Sequence, residues 1–504
     1  MERAALARGI TLAAALLFLA ATVIRAATQP FWYDELFTVH VVDISDPARI
    51  WKALTAGVDL NPPLLYAATW AGRALAGNNE VGNRLPAILG YLLFLYATGA
   101  FLARRAGPWA GLLAASLLAL SEAYTYALQA RSYGMLLGWS SLALLCWQSS
   151  ADSPPGISRL RPLAGLSLAT AAALLTHCYA LVALFPIAAG EAMRTLRRRR
   201  VDLPLAASLA VAAPAILIYF PLLASSRGYQ LQGPLFDPSA RKLINTYAGL
   251  AAPLLWPTLL VFALAMLARL RRANQPALAP GVPVHESAAL AALMLTPAIA
   301  YLLAVGAKGG YFTRYALGAS AAMSIAAALG ASRMVRRAQP ALMALSLLTI
   351  GWFAVRFLHR PAVFPVASEA AALASADPSL PIVVSDGQTF LELNYYADPA
   401  TAARLVFLTD RPAALRHMRT DCYDRIMPIL TRWFPIHGRV IPAADFLSRR
   451  QRFLIYGTRE REHTWLPQRL EALHVPVAPA WNSPRRTLAE VHWPPGPSRN
   501  AGAP

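Results

Sequence analysis

The sequence predicts a polytopic α-helical membrane protein that continues into a soluble α/β domain. Three observations lead there. Of its 504 residues, 57% are hydrophobic and only 14% charged, whereas a typical soluble protein carries about 25% charge. The charge is also uneven, sparse through residue 357 and frequent after residue 368. Several windows of roughly 18–22 residues are nearly free of acids and bases, and about 20 apolar residues span a bilayer core.

The first predicted span, 8–28, follows a basic start with Arg3 and Arg8. A cleaved signal peptide is the alternative, but the apolar core is long and Arg25 follows it, which favours an uncleaved span. Ten further spans are expected at 85–103, 108–126, 133–150, 162–177, 179–193, 203–224, 251–268, 287–306, 314–332 and 339–357. With this count of about eleven, every positive cluster falls on one side. These are Arg104 and Arg105; Arg159 and Arg161; Arg194 and Arg197–Arg200; Arg269, Arg271 and Arg272; and Arg333, Arg336 and Arg337. Positive clusters mark the cytoplasmic side. The apolar stretch Asn61–Gly77 is too short to cross, and counting it would invert every later loop. It reads as an interfacial helix in the outer loop 29–84, continuous with an amphipathic piece around Ala48–Ala56, with Trp51 and Trp70 suited to an interface.

The transmembrane domain is expected over 1–360 and a periplasmic α/β domain over 361–494, with a disordered tail at 495–504. Strands are predicted at 381–386, 404–410 and 452–457, with helices at 389–398 and 465–474; such alternation suggests a small layered sheet. "SDGQT" after the first strand is too weak to mark a nucleotide site. The net charge of +20 is explained by the short Arg clusters; no basic stripe with interleaved aromatics points to nucleic acid. Cys146, Cys178 and Cys422 are too few and too scattered to form a metal motif or disulfide framework.

The candidate chemistry lies on the outer face. Asp34 and Glu35 follow the aromatic triplet Phe31, Trp32 and Tyr33, which shields them from bulk water. Arg84, Arg131, His177, Lys308 and Arg314 are expected on the same side, and charged residues at span ends are functional candidates. Each has a plain alternative: solvated acids at an interfacial turn, a satisfied interface histidine, ordinary loop cations, and for Arg84 a role in orienting the first loop, with Glu80 as a partner. The loop 225–250, with Arg227, Tyr229, Asp237, Arg241 and Lys242, is a candidate for gating or substrate contact.

Five motifs in order resemble the GT-C glycosyltransferases, which include protein O-mannosyltransferases and lipid A aminoarabinose transferases. "FWYDELFTV" resembles the first-loop Asp-Glu motif, and "LNPPLLYAATWAGRALAGNNEVGNRLPAILG" resembles "HPPLYY…RLPS". "LQARSYGMLL", "THCYALVALFP" and "FTRYALGASAA" resemble "EARxYxLL", "THYxxxxLL" and "RYLLPxLP". The chain departs from the pattern at Asn61, where His is usual, and at Gln129, where Glu is usual. The resemblance covers most of residues 25–330.

The resemblance implies a multi-pass protein of a bacterial inner membrane with a periplasmic active site. It would move a sugar from a polyprenyl-phosphate carrier, undecaprenyl phosphate in bacteria, to a lipid, glycan or protein acceptor, with inversion. Asp34 matches the catalytic aspartate; Glu35 would share the proton, orient the acceptor or bind a metal. Arg131, Lys308 and Arg314, with Tyr133 and Tyr315, would hold the donor phosphate, and Asn61, Arg84 and His177 would serve the first loop and the acceptor. No resident cofactor is required. A divalent metal stays an open alternative, with Asp34, Glu35 and His177 as ligands. The rival readings are a transporter or lipid flippase and a non-catalytic scaffold.

Overall fold

The computed structural model describes residues 2–225, 227, 236–270, 281–307, 309–334, 339–358, 365–460, 464–483 and 486–494. Apolar composition without regular β-alternation makes most of the chain helical. The helices are α1 (Glu2–Thr28), α2 (Tyr33–Asp43), α3 (Pro47–Thr55), α4 (Leu64–Ala76), α5 (Glu80–Ala106), α6 (Pro108–Ala119), α7 (Tyr133–Asp152), α8 (Ile157–Thr176), α9 (Ala180–Arg198), α10 (Leu203–Ala210), α11 (Tyr219–Ser225) and α12 (Ala240–Leu270). They continue with α13 (Val284–Met294), α14 (Thr296–Gly306), α15 (Ala319–Met334), α16 (Gln339–Leu358), α17 (Pro365–Ala374), α18 (Gly387–Tyr396), α19 (Pro399–Arg404), α20 (Arg411–Met418), α21 (Cys422–Trp433), α22 (Ala443–Leu447) and α23 (Leu466–Ala472).

Helix, continuous or broken, occupies each of the eleven segments expected to span. Among the described residues, four helical stretches are long and apolar enough to cross a membrane: Ala5–Thr28, Glu80–Ala106, Leu203–Ser225 and Ala240–Leu267. Two bent pairs raise this to six: α6 with the 3-10 turn Glu122–Leu128, bent by 72°, and α13 with α14, bent by 54°. The stretch Asn61–Gly77, expected to lie in the interface, contains α4, and the expected amphipathic piece forms α3 behind an Asp46 N-cap, whose side chain accepts from Ala48 N. Helix α12 starts at Ala240, inside what the sequence suggested was loop, because "ARKLINTYAGL" contains no proline to stop it.

The chain divides into two compact units. One comprises Met1–Gln29, Asn61–Phe220 and Pro238–Ala362; the other comprises Pro30–Leu60, Pro221–Asp237 and Val363–Pro504. In the helical unit, α5 and α7 cross where both carry glycine. A Cβ on Gly90 would lie 2.5 Å from Met135 Cα, and one on Gly138 would lie 2.2 Å from Gly90 O. Small residues allow this approach between apolar helices. The contact fixes the start of α7, which carries Tyr133.

The second unit is built on a six-stranded sheet of order β3-β2-β1-β4-β6-β5. Its strands are β1 (Ile382–Val384), β2 (Leu405–Thr409), β3 (Arg439–Pro442), β4 (Arg452–Thr458), β5 (Val477–Asn482) and β6 (Arg486–His492). Strands β1–β4 are parallel, with Ile382 opposite both Leu405 and Leu454, and β6 runs antiparallel to β4 and β5. The runs "IVV", "LVFLT" and "FLIY" are buried on both faces, as parallel strands require, and the sequence showed them for that reason. It missed β3, β5 and β6, whose short, polar or proline-bearing stretches lie toward the sheet edges.

Candidate functional site

The acids lie in the unit that contains the sheet. Helix α2 begins with Trp32 as its N-cap, and Glu35 reaches back to accept from Trp32 N at 3.2 Å. Glu35 is fully buried and Asp34 half-buried. Both sit in the first turn, where the helix dipole favours negative charge. The chain entering α2 is anchored to α18: Phe31 N donates to Tyr396 Oη at 2.6 Å and Tyr33 N to Glu392 Oε1 at 3.1 Å. Burial raises the Glu392 carboxyl, against the pull of Arg486. Aromatic edges complete the seat, with Tyr33 against Tyr423 (5.9 Å), Phe37 against Phe434 (6.0 Å) and His40 against Phe434 (4.8 Å). Asp34 is felt in this seat. The Cys422 thiol is pushed up to about 12 by burial first, then by Asp421, Asp34 and Asp424.

Among the described residues, the sheet offers no phosphate cradle at its switch point, between β1 and β4. Asp386, at the carboxyl end of β1, is committed to two backbone amides, Thr389 N at 2.8 Å and Thr458 N at 3.2 Å. A Cβ on Gly387 would lie 2.7 Å from the Tyr423 ring.

The cations lie in the helical unit. Arg84, fully buried, donates from Nη1 to Ala26 O at 2.7 Å and Gln29 O at 2.5 Å, closing the C-terminal end of α1 where the first loop begins. Asn61 accepts from Ser132 Oγ at 2.8 Å, both residues being buried. That bond ties the start of the "NPPLLY" segment to the turn carrying Arg131 and Tyr133; Arg131 N donates to Gln129 O at 2.7 Å within the turn. Tyr133 packs 5.2 Å from His177, and His177 lies 5.7 Å from Tyr179 and 6.2 Å from Tyr315. His177 Nδ1 accepts from Tyr179 N at 3.0 Å, which leaves Nε2 to carry the ring proton. The Arg314 guanidinium lies 4.6 Å from the Phe312 ring centre, 5.8 Å from Tyr315 and 5.9 Å from Tyr133.

Asn61, Arg131, Tyr133, His177, Arg314 and Tyr315 are thus one neighbourhood. Lys308 lies outside the described residues. Sequence reasoning missed Ser132, Tyr179 and Phe312, although all three fall inside the motifs it singled out. Tyr179 stacks on Tyr315 at 3.7 Å and 13°. From this cluster a narrow cleft runs between α7, α9, the α13–α14 junction and the 3-10 turn Thr313–Ala316. Tyr133, Arg314 and Tyr315 stand at its polar part, and Leu136, Leu144 and Ile187 are among its apolar walls. Among the described residues, no group of three or more His, Cys, Asp or Glu is placed to hold a metal ion.

No protein-family model matches the chain, and no curated protein matches its sequence. Solved structures do. ArnT from Cupriavidus metallidurans in the apo state is similar at a TM-score of 0.60 and 14% identity, over 96% of this chain and 98% of that one. The same protein bound to undecaprenyl phosphate is similar at a TM-score of 0.57 and 14% identity, over the same shares of both chains. Membrane-length helices and this likeness give the chain the helical membrane-protein fold of ArnT.

Proposed function

We propose that the chain is a membrane glycosyltransferase that passes a sugar from a polyprenyl-phosphate carrier to a hydroxyl of a lipid, glycan or protein acceptor, on the periplasmic side of a bacterial inner membrane. The observation that carries this reading is the grouping of Arg314 with Tyr133 and Tyr315 at the mouth of a narrow cleft of about 40 Å³ whose other walls are mostly aliphatic. A lipid phosphate has that same division between charge and hydrocarbon. The fold likeness to a protein solved with undecaprenyl phosphate supports it.

In this reading Asp34 is the general base. It takes the proton of the acceptor hydroxyl as that oxygen bonds to the anomeric carbon, and the carbon–phosphate oxygen bond breaks with its electron pair leaving on the carrier phosphate. One displacement of this kind inverts the anomeric centre. A positioned carboxylate contributes roughly 10²–10⁴-fold to such a step. Arg131 and Arg314, joined by Lys308, stabilise the charge gathering on the phosphate, by bidentate pairing in the case of the arginines. Tyr133 and Tyr315 frame Arg314. Glu35, bonded to the Trp32 amide, holds the turn that presents Asp34. Arg84 shapes the entry of the first loop and His177 the acceptor side. The reading assigns no step to a metal.

The test is transfer by purified protein from undecaprenyl-phosphate sugars, guided by mass analysis of envelope glycolipids and glycoproteins from cells lacking the chain. A sugar-sized mass missing from one acceptor, and restored by the wild-type chain but not by Asp34→Asn, is the expected result. Unchanged envelope masses, with no binding of undecaprenyl phosphate, would overturn it.

A further inference from the structure

A second charged cavity lies apart from the candidate donor cleft and shares no residue with it. It sits in the helical unit where the end of α7, the starts of α8 and α13 and the end of α9 meet, and it encloses about 370 Å³. Arg159, Arg194, Arg197, Arg198, Ser153 and His285 line it. Two of its arginines are fixed. Arg159 donates to Ser150 O at 2.9 Å and pairs with Asp202, and Arg194 donates to Asp202 at 2.8 Å and to Glu191 at 3.0 Å. Burial opposes ionisation of Asp202, but these two arginines outweigh it and hold the carboxyl down at about 2. Asp202 and Glu191 offset two of the four guanidinium charges, so two positive charges are left over around the cavity. Arg198 has a side chain 54% exposed and lies 3.8 Å from Asp202.

The rim is apolar. Ile157 is 86% exposed and Leu203 73% exposed, and Leu160, Leu196 and Val201 are exposed as well. In sequence these five flank Arg159, the Arg194–Arg198 turn and Asp202. Bare aliphatic side chains on the same helix ends mark a surface that meets something apolar, which a site for a soluble anion does not need. A basic pocket between helix ends beside apolar surface matches a phosphate that carries acyl chains, as lipid-headgroup pockets on the basic face of membrane proteins do.

We propose that this cavity binds the phosphate headgroup of an anionic membrane phospholipid, with the acyl chains lying along Ile157, Leu160, Leu196 and Leu203. Arg159 and Arg194 form the preorganised floor, and Arg197 and Arg198 supply the surplus charge. The site does not depend on the proposed transferase reaction.

The experiment uses the full-length protein in detergent, titrated with phosphatidylglycerol or phosphatidylethanolamine and read by native mass spectrometry. The wild type is expected to retain phosphatidylglycerol preferentially. The Arg197→Gln/Arg198→Gln double variant should lose that preference by about tenfold or more, with phosphatidylethanolamine retention unchanged. If the double variant fails to fold, Arg198→Gln alone is expected to show a smaller loss in the same direction. Equal retention of both lipids by the wild type, or undiminished phosphatidylglycerol retention by the folded variant, would overturn the proposal. Full displacement of phosphatidylglycerol by millimolar inorganic phosphate would also overturn it, marking a soluble-anion site.

Discussion

The two compact units hold charge by different physical means. In the unit containing the sheet, the acids of the first loop are held by backbone amides and by the first turn of a helix. Glu35 accepts from Trp32 N, and the neighbouring backbone is tied down by Glu392 and Tyr396. In the helical unit, Arg314 lies against three aromatic rings. A ring face attracts and orients a guanidinium through its quadrupole. Elsewhere in the same unit, arginines are neutralised outright, as with Arg105 against Asp152 and Glu286. The contrast is between a guanidinium packed among rings and guanidinium groups tied to carboxylates.

Breaking the comparison at its acid end should have the largest effect. Asp34→Asn is expected to lower kcat by roughly 10²–10⁴-fold with α2 still folded, as read by single-turnover assays and by hydrogen exchange of the α2 amides. Turnover within about threefold of wild type would remove Asp34 as the base.

Next in size is a pH effect in the same unit. Burial, helped by Asp410 and Asp421, raises the Asp424 carboxyl to about 7. Asp410 pairs with Arg469, and Asp421 with Arg411 and Arg425. Below about pH 4 the carboxyl is protonated in both the folded and the unfolded chain. Between about pH 4 and 7 only the folded chain keeps the proton, so stability falls as pH rises through that window and levels off above it. The full span is on the order of 4 kcal/mol at 1.36 kcal/mol per unit. Asp424→Asn, whose amide oxygen can still accept from Asp410 N, should flatten the decline. Protection of the sheet amides as a function of pH reads it out, and the same slope in the variant would rule Asp424 out as its source.

At the cation end, Arg314→Ala and Arg131→Ala should each weaken binding of undecaprenyl phosphate by roughly 10–100-fold, the range of a charge-assisted hydrogen bond, while acceptor KM stays near wild type. Equal losses for donor and acceptor would argue against the phosphate assignment. Tyr179→Leu removes the ring stacked on Tyr315 and should cost donor affinity several-fold, as an aromatic pair is worth about 0.5–1.5 kcal/mol. The smallest effect is expected from Glu35→Ala. The helix start should loosen by about 0.5–2 kcal/mol, seen as faster exchange at α2, with a kcat loss smaller than that of Asp34→Asn.

Much of this was legible along the chain, because the relevant physics is local. Apolar run length sets where helices form, so each expected span holds helix, and continuous apolar runs announced β1, β2 and β4. The neighbourhood of Asn61, Arg131, Tyr133, His177 and Arg314 was legible only as separate motifs. Tyr179 and Ser132 went unnoticed because stacking on Tyr315 and bonding to Asn61 are contacts between distant parts of the sequence.

The sequence by itself determined the helical, membrane-length character of the first two-thirds, the three buried strands of the sheet and the residue types available for chemistry. Tertiary structure alone decided which unit carries which charge. It grouped Pro30–Leu60 with the sheet rather than with the helices that flank it in the chain, through the hydrogen bonds of Phe31 and Tyr33 to α18. The physical reason is range. Hydrophobic patterning acts over one or two helical turns, whereas a buried amide finds its acceptor hundreds of residues away, and no spacing in the sequence records that choice.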